Sequence, residues 1–596
     1  MAVWSEPLGP GRPWATPRRR TQQARARSEP SRLRVLWLLG VVVILAGAIW
    51  GRLAYWQVAE HDRLAQLAAS YHLVQIPLPA TRGMIYDREG RPLAVNTTVY
   101  DVSLAADQVE PAQRDQVAGA LSRVLGVSRA KVEEVLRSRS KFWYVARRVP
   151  KDEADQLSRL MLPGVYLTPQ QQRTYMPGGA GGTSLASQLL GFVDDQGQGQ
   201  RGIEQRYDRV LGGRPGSVTA YRDMWGDEIA LSDRHRREPV NGQSLQLTID
   251  SGIQVAAERA IAEGVRANHA QSGSVIVMDS RTGGIVAWAS APAYDANHFA
   301  TSDASRFADP IVSGLYEPGS VMKVVTLAGA LDQGKITPDT TISDPGYVNV
   351  GGVTLHDWDD RAKGAVTMTR VLDDSLNVGA VRAEQMEGSD AFFHYLQAFG
   401  FGRPSGIDVA DESWMSLGNT SQWRTAQVAT ASYGQGIAVN MVQMVAALNV
   451  IANGGRYVQP HVVEKVGDRP VQLPPERQVV APRTAATMTA MMEDVVQHGS
   501  GWMARIPGFQ DDEAGKTGTS NIPVGGHYTS QVWASYAGFL PAHDPRFTML
   551  VVIREPHNGS SDHDEGYYVA APIWKEIAQD IILQWRITPG GPDPSN

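Results

Sequence analysis

A serine hydroxyl is a weak nucleophile until a base stands within hydrogen-bond reach. The stretch Glu317-Pro-Gly-Ser-Val-Met-Lys323 offers such a base. Pro318-Gly319 breaks the chain, and Ser320 falls at a predicted helix start before the apolar run Val324-Val-Thr-Leu-Ala328. Residues three apart on a helix share a face, so the Lys323 amine is expected beside the Ser320 hydroxyl. Two other S-x-x-K stretches, Ser128-Arg-Ala-Lys131 and Ser138-Arg-Ser-Lys141, sit among Arg and Lys and read as solvated helix surface.

Two more short motifs follow Ser320 in order. Ser375-Leu-Asn377 is the only S-x-N in the chain, and Lys516-Thr-Gly-Thr519 the only K-T-G. Alone, the first is commonly a cap or turn and the second a strand end. Together they complete an acyl-transfer set. Ser320 is the expected nucleophile. Lys323 must be neutral to take its proton, and burial beside a second cation, Lys516, lowers its pKa. Ser375 is placed to relay a proton to a leaving amine, and Asn377 to hold Lys323 and a substrate amide. Thr517 and Thr519 offer hydroxyls to a substrate carboxylate. Gly518 is expected to let a substrate backbone come close to the strand edge. The backbone N–H groups of Ser320 and Thr519 are the expected oxyanion hole.

Elements around these motifs define a domain. A strand at 245–250, a helix at 252–267 and a hairpin at 273–288 closed by Thr282-Gly-Gly284 precede the nucleophile. Helical spacing follows at 365–384, 388–400, 422–432, 438–453 and 482–498. Apolar or alternating strands return at 530–539 and 547–553, and a last helix spans 570–584. Strands at both ends with helices between predict an α+β fold, one antiparallel sheet with a helical insert. Upstream, residues 59–240 are mixed and charge-rich, with strands at 74–79 and 98–104 and helical spacing at 109–137 and 151–161. They contain no nucleophile-base pair and read as an extended non-catalytic module.

Composition bounds the rest. At 596 residues, 42% hydrophobic and 20% charged, the chain has material for two to four folded units. The net charge of −6 excludes a general nucleic-acid binder. Without cysteine there is no disulfide and no thiolate chemistry. Residues 1–34 carry eight arginines against two glutamates, a net of +6, and read as a disordered basic tail. An apolar span follows at 35–58, interrupted only by Arg52 and rich in Trp and Tyr at its end. Arginines before the span predict a cytoplasmic N-terminus and everything after it outside. The rival reading is a cleaved signal peptide with Ala46-Gly-Ala48 as its site. Residues 589–596 read as a disordered tail. His557 and His563 with Asp562, Asp564 and Glu565 lack ligand spacing, so neither a metal nor a cofactor is expected.

The three motifs make the chain resemble the class B penicillin-binding proteins, the monofunctional D,D-transpeptidases of bacterial cell-wall synthesis. The resemblance covers about residues 35–587. It includes Arg82-Gly-Met-Ile-Tyr-Asp-Arg-Glu-Gly90, Gly202-Ile-Glu204, Tyr433-Gly-Gln-Gly436 and Ile451-Ala-Asn-Gly-Gly455. It implies a membrane helix at 35–58, a pedestal domain at 59–240 and a transpeptidase domain at 241–588. In the pedestal it singles out Arg82, Gly83, Asp87, Arg88, Gly202 and Glu204, with Arg82 and Glu204 paired. Leu376 stands where many relatives have Ser, and Asn440 where they often have Thr. The implied reaction is attack of Ser320 on a stem peptide with loss of D-Ala, then cross-linking to a neighbouring stem. β-Lactams are the implied inhibitors, acylating Ser320 as substrate mimics. The resemblance is closer to the division transpeptidase than to the elongation one, from total length and the Val99-Tyr-Asp-Val-Ser103 run. That implies a polytopic lipid II polymerase (a SEDS-type glycosyltransferase) and other divisome proteins as partners. A membrane-anchored serine β-lactamase or β-lactam sensor, and a non-enzymatic division scaffold, are the competing readings.

Overall fold

The computed structural model describes residues 32–64, 73–138, 140–221, 235–510, 512–559 and 561–590. The expected basic tail up to residue 31 and the last six residues lie outside them. The described residues fall into two compact units, one within residues 32–76 and 217–237 and one within residues 77–216 and 238–590.

In the first unit, the helix Arg32–Ala54 continues through a wider turn, Tyr55–Ala59. This 28-residue helix is long and apolar enough to cross a membrane, and none of its side chains is buried. A helix that is apolar all round needs lipid or a partner to cover it. Arg52 lies 4.8 Å over the Trp56 ring, a cation held at an aromatic face near the end of the span. A three-stranded sheet orders Leu73–Leu78, Gly216–Tyr221 and His235–Arg237.

The second unit is built on two sheets. One is antiparallel and five-stranded, in the order Ile285–Ala291, Ser272–Asp279, Phe547–Arg554, His527–Leu540, Ala514–Val524. N- and C-terminal strands thus meet in one sheet, and the K-T-G strand is its edge. Alternation along the strands explains the layers. Ile276, Met278, Leu550 and Val552 face a core with the helices Lys323–Asp332, Met441–Ala452 and Pro482–Gln497. Val275, Val277, Met549, Val551 and Ile553 face the helices Ser251–Ala267 and Gly566–Trp585. Asp250 caps the first of these, accepting from the Gly252 and Ile253 N–H groups.

The other sheet joins the pedestal to the catalytic stretch. The strand Ile85–Tyr86 pairs antiparallel with Pro92–Leu104 across the turn at Asp87-Arg-Glu-Gly90, and parallel with Leu245–Leu247. Val463–Val466 extends the sheet on the far side of Leu245–Leu247. Trp143–Val149 and Val165–Tyr175 both pair with Pro92–Leu104. Backbone hydrogen bonds therefore run without a break across the expected boundary near residue 240.

Two expected helices are each broken. Residues 109–137 form Arg114–Leu125 and Arg129–Ser138, separated at Gly126, where a left-handed φ of 66° ends the first helix. Residues 365–384 form the strand Gly364–Thr367, then Met368–Asp373 and Asn377–Glu387, broken at Ser375 with φ 57°. Apolar spacing continues across both breaks, so periodicity alone did not reveal them. Asn440 N-caps the buried helix Met441–Ala452, taking the Gln443 N–H at 2.8 Å in a reciprocal box.

Candidate active site

The nucleophile turn is shaped by what holds it. Gly319–Met322 forms a 3-10 turn that runs into the helix Lys323–Asp332, whose residues 323–330 are all buried. Gly319 takes φ 57°, and a side chain there would strike the Thr519 carbonyl oxygen at 2.8 Å. Its N–H donates to the Gly434 carbonyl at 3.1 Å. The Ser520 hydroxyl donates to the Glu317 carbonyl at 2.6 Å. The Glu317 carboxylate accepts from Tyr528 Oη at 3.0 Å and from the Gly436 N–H at 3.0 Å. Ser320 is thus clamped between the K-T-G strand and the Tyr433-Gly-Gln-Gly436 turn.

The five polar side chains expected at the centre come together. Lys323 Nζ donates to Ser320 Oγ at 3.0 Å, to Asn377 Oδ1 at 2.8 Å and to the Ser375 carbonyl at 2.5 Å. It also lies 3.4 Å from Ser375 Oγ. Lys516 Nζ donates to Ser375 Oγ at 3.0 Å and to Thr517 Oγ1 at 3.2 Å. Ser375 Oγ therefore bridges the two amines. The left-handed backbone at Ser375 costs strain in a serine, of the kind found where a side chain is aimed at a site.

Both lysines have no exposed surface. Burial, followed by the positive charge of Lys516, holds the Lys323 amine well below the ordinary lysine range, while Asp357 opposes the shift. Burial alone brings Lys516 down to about 7, against the opposing pull of Asp373. A lysine that is neutral part of the time beside a serine is a competent general base.

The Thr517 hydroxyl contacts Ser500 Oγ at 2.9 Å, and the Thr519 hydroxyl accepts from the Gly566 N–H at 3.1 Å. The close approach that Gly518 allows is inward. A Cβ there would meet Ser535 Oγ at 2.4 Å and the Pro318 carbonyl at 2.9 Å, so the glycine seats the strand against the nucleophile turn. This packing reason stands beside the expected one, access for a substrate backbone.

In the pedestal, Arg82 Nη2 and Glu204 Oε2 stand 2.6 Å apart, and Arg82 Nη1 reaches Asp208 at 2.8 Å. Arg173 Nε takes the other Glu204 oxygen at 2.7 Å. Gly83 packs so tightly that a Cβ would lie 2.0 Å from the Gln243 carbonyl oxygen, and Gly202 has φ 49° beside the Leu189 carbonyl. Asp87, fully buried, accepts from the Arg91 side chain and from Ser251 Oγ at 2.6 Å. Arg88 lies 5.4 Å over the Trp585 ring. These residues tie the pedestal to the catalytic stretch and to itself.

Sequence reasoning missed Ser500, Arg173 and Asp357, whose carboxylate accepts from the Asn377 N–H at 2.6 Å. None has a local signature; each is recognised by what it touches. Leu376, the departure inside S-x-N, is a fully buried core residue. In the polar loop, Asp564 accepts from the Asn558 N–H, and the His563 ring meets Tyr568 edge-on. Among the described residues no group of three or more His, Asp or Glu side chains is arranged to hold a metal.

Both the sequence and the fold are similar to those of known proteins. The penicillin-binding protein transpeptidase domain family matches residues 273–579, and the penicillin-binding protein dimerisation domain family matches residues 77–247. The chain is 32% identical over 601 residues to the penicillin-binding protein PbpB of Mycolicibacterium smegmatis, covering 94% of this chain and 90% of that one. It is 30% identical to the peptidoglycan D,D-transpeptidase FtsI of Escherichia coli, covering 93% and 92%. Penicillin-binding protein 3 of Mycobacterium tuberculosis, solved with aztreonam, superposes with a TM-score of 0.67 at 26% identity, over 87% of this chain and 99% of that one. Family matches over most of the chain, and relatives aligned along nearly its whole length, lead to one assignment: the chain belongs to the class B penicillin-binding proteins.

Proposed function

We propose that this penicillin-sensitive D,D-transpeptidase cross-links peptidoglycan stems at the division septum through an acyl-enzyme on Ser320. The observation that carries the chemistry is the buried Lys323 amine, bonded at once to Ser320 Oγ and Asn377 Oδ1.

Ser320 Oγ attacks the penultimate D-Ala carbonyl while its proton passes to neutral Lys323 Nζ. The oxyanion is received by the backbone N–H groups of Ser320 and Thr519. The C–N bond then breaks, and the leaving amine takes a proton through Ser375 Oγ, which both lysines serve. Terminal D-Ala departs, leaving an ester on Ser320. The amine of a neighbouring stem attacks that ester, gives up a proton to Lys323, and Ser320 Oγ recovers its own. Thr517 and Thr519 are assigned the substrate carboxylate. A β-lactam follows the first half, with its ring amide in place of the peptide bond. The Glu317 carboxylate, three residues before the nucleophile, accepts from Tyr528 and Gly436 and braces the nucleophile turn.

Residues 59–240 are assigned the pedestal domain and residues 241–588 the transpeptidase domain. The arginines before the helix Arg32–Ala59 argue for an N-terminus inside and a catalytic domain outside. Partners of the required kind are a polytopic lipid II polymerase and other division proteins, met through that helix and the pedestal. Support for the septal role comes from the total length and the Val99-Tyr-Asp-Val-Ser103 run. Depletion of the protein from growing cells tests it. Filaments without septa are expected; rounded cells would assign it to elongation, and rescue by Ser320→Ala would make it a scaffold.

A further inference from the structure

Behind Asn377 lie two acids that the reaction above does not use. Asp344 ends the strand Thr341–Asp344, and Asp357 follows the strand Val353–His356. They are 1% and 3% exposed. One turn joins them. The Gly346 N–H donates to Asp344 Oδ1 at 2.7 Å, and the Asp357 N–H donates to the Gly346 carbonyl at 3.1 Å.

Asp357 Oδ1 accepts from the backbone N–H groups of Asn377, at 2.6 Å, and Val378, at 3.0 Å. It therefore caps the helix Asn377–Glu387 from twenty residues upstream, an anion at a positive helix end. The second oxygen of each acid, Oδ2, is buried and has no hydrogen-bond partner. Asp344 feels Asp357 both as a neighbouring negative charge and as a hydrogen-bonding group, and both act to hold its proton on. Two buried carboxyl groups in contact satisfy both free oxygens when one proton lies between them.

We propose that Asp344 and Asp357 form a proton-sharing carboxyl pair that positions Asn377, and through Asn377 Oδ1 the base Lys323, for acylation of Ser320. Both are positioning residues, since neither reaches the reacting atoms. The helix start is the shared part. A displacement of Asp357 moves the Asn377 backbone, and Asn377 Oδ1 holds Lys323 Nζ at 2.8 Å. The proposal rests on the transpeptidase reading of Ser320.

Few other charges face the pair. Lys363 gives its backbone N–H to the Asp344 carbonyl, and its ammonium pairs with Asp359 at 2.6 Å. The His356 ring pairs with Asp360 on the exposed side. Lys323 lies beyond Asn377, with Lys516 beyond it. Burial first, and then the Asp357 charge, bring Asp344 up to about 6, so the shared proton leaves as pH rises through that value.

The test is the acylation rate of the full-length protein in detergent with a fluorescent penicillin, followed across pH, for the wild type, Asp344→Asn, Asp357→Asn and Ser320→Ala. The wild type should show an inflection at about pH 6. In Asp344→Asn an amide hydrogen stands permanently where the proton sat. Its rate should stay within about threefold of the wild type and the inflection should vanish. Asp357→Asn loses the charged cap and should acylate about tenfold more slowly. Its profile should also shift to lower pH, because an anion that favours the Lys323 ammonium is gone. Variants that keep the wild-type inflection overturn the proposal, as does equal slowing in both with an unchanged profile, which would mark a structural role only. Should Asp357→Asn fail to fold in a thermal melt, the profile of Asp344→Asn decides. Absence of labelling in the wild type, or labelling of Ser320→Ala, would refute the transpeptidase reading itself.

Discussion

Lys516→Met removes a charge while keeping the length and most of the bulk of the side chain. Ser375 Oγ stands 3.4 Å from Lys323 Nζ and 3.0 Å from Lys516 Nζ. The two nitrogens are therefore within about 6 Å of each other, and at an effective dielectric constant of about 20 their repulsion is about 3 kcal/mol, or about two pH units. Both amines are buried, so solvent screens little of this. The sign is fixed. Acylation needs neutral Lys323, and a cation beside it disfavours its ammonium. Removing that cation raises the Lys323 pKa, so the acid limb of the acylation profile moves to higher pH. The charge of Lys516 is one of the two causes that hold the Lys323 amine down, burial being the larger, so the shift should be about one to two units. The assay is the second-order rate of penicillin acylation at a series of pH values. The height of the profile will also fall, because Ser375 loses a partner, but position decides. An acid limb that stays in place or moves to lower pH would refute the electrostatic coupling of the two lysines.

Three further outcomes follow from the same geometry. Lysines whose folded pKa lies below the unfolded value bind fewer protons when folded, so stability should rise with pH from about 7 to about 10.5 in the wild type. Lys516→Met should melt higher at pH 7 and lose part of that rise; a lower melting temperature at pH 7 would contradict it. Glu204→Gln leaves the buried guanidinium groups of Arg82 and Arg173 without their shared anion, and should cost about 3–5 kcal/mol in a denaturant titration. An unchanged midpoint would remove that trio from the account of the pedestal. Gly518→Ala forces a Cβ against Ser535 Oγ and the Pro318 carbonyl and should slow acylation at least about tenfold by displacing the nucleophile turn. A wild-type rate would show that the turn yields freely.

Much of the catalytic arrangement was legible because its motifs are short and local. Ser320 and Lys323 lie about one helical turn apart, and that spacing puts the amine beside the hydroxyl, where the structure has them in contact at 3.0 Å. The apolar runs at 273–279 and 547–553 likewise read as strands of one antiparallel sheet, where they pair side by side. Less legible was whatever depends on backbone handedness or on distant partners. The turn at Ser375 hides inside continuous apolar spacing, and only its φ reveals why the serine faces Lys323. Asp357 caps a helix that begins twenty residues later, a distance at which no local pattern operates. Gly518 was recognised as a position needing glycine, but the neighbour that demands it, Pro318, is about two hundred residues away and could be identified only in three dimensions.

The central claim is that Ser320 is the acylated residue. Intact-mass measurement of the protein after exposure to a penicillin, followed by peptide mapping, tests it most directly. One equivalent of adduct is expected on the peptide that carries Ser320 and Lys323, with none on Ser320→Ala. An adduct on another residue, or equal labelling of Ser320→Ala, would contradict the account.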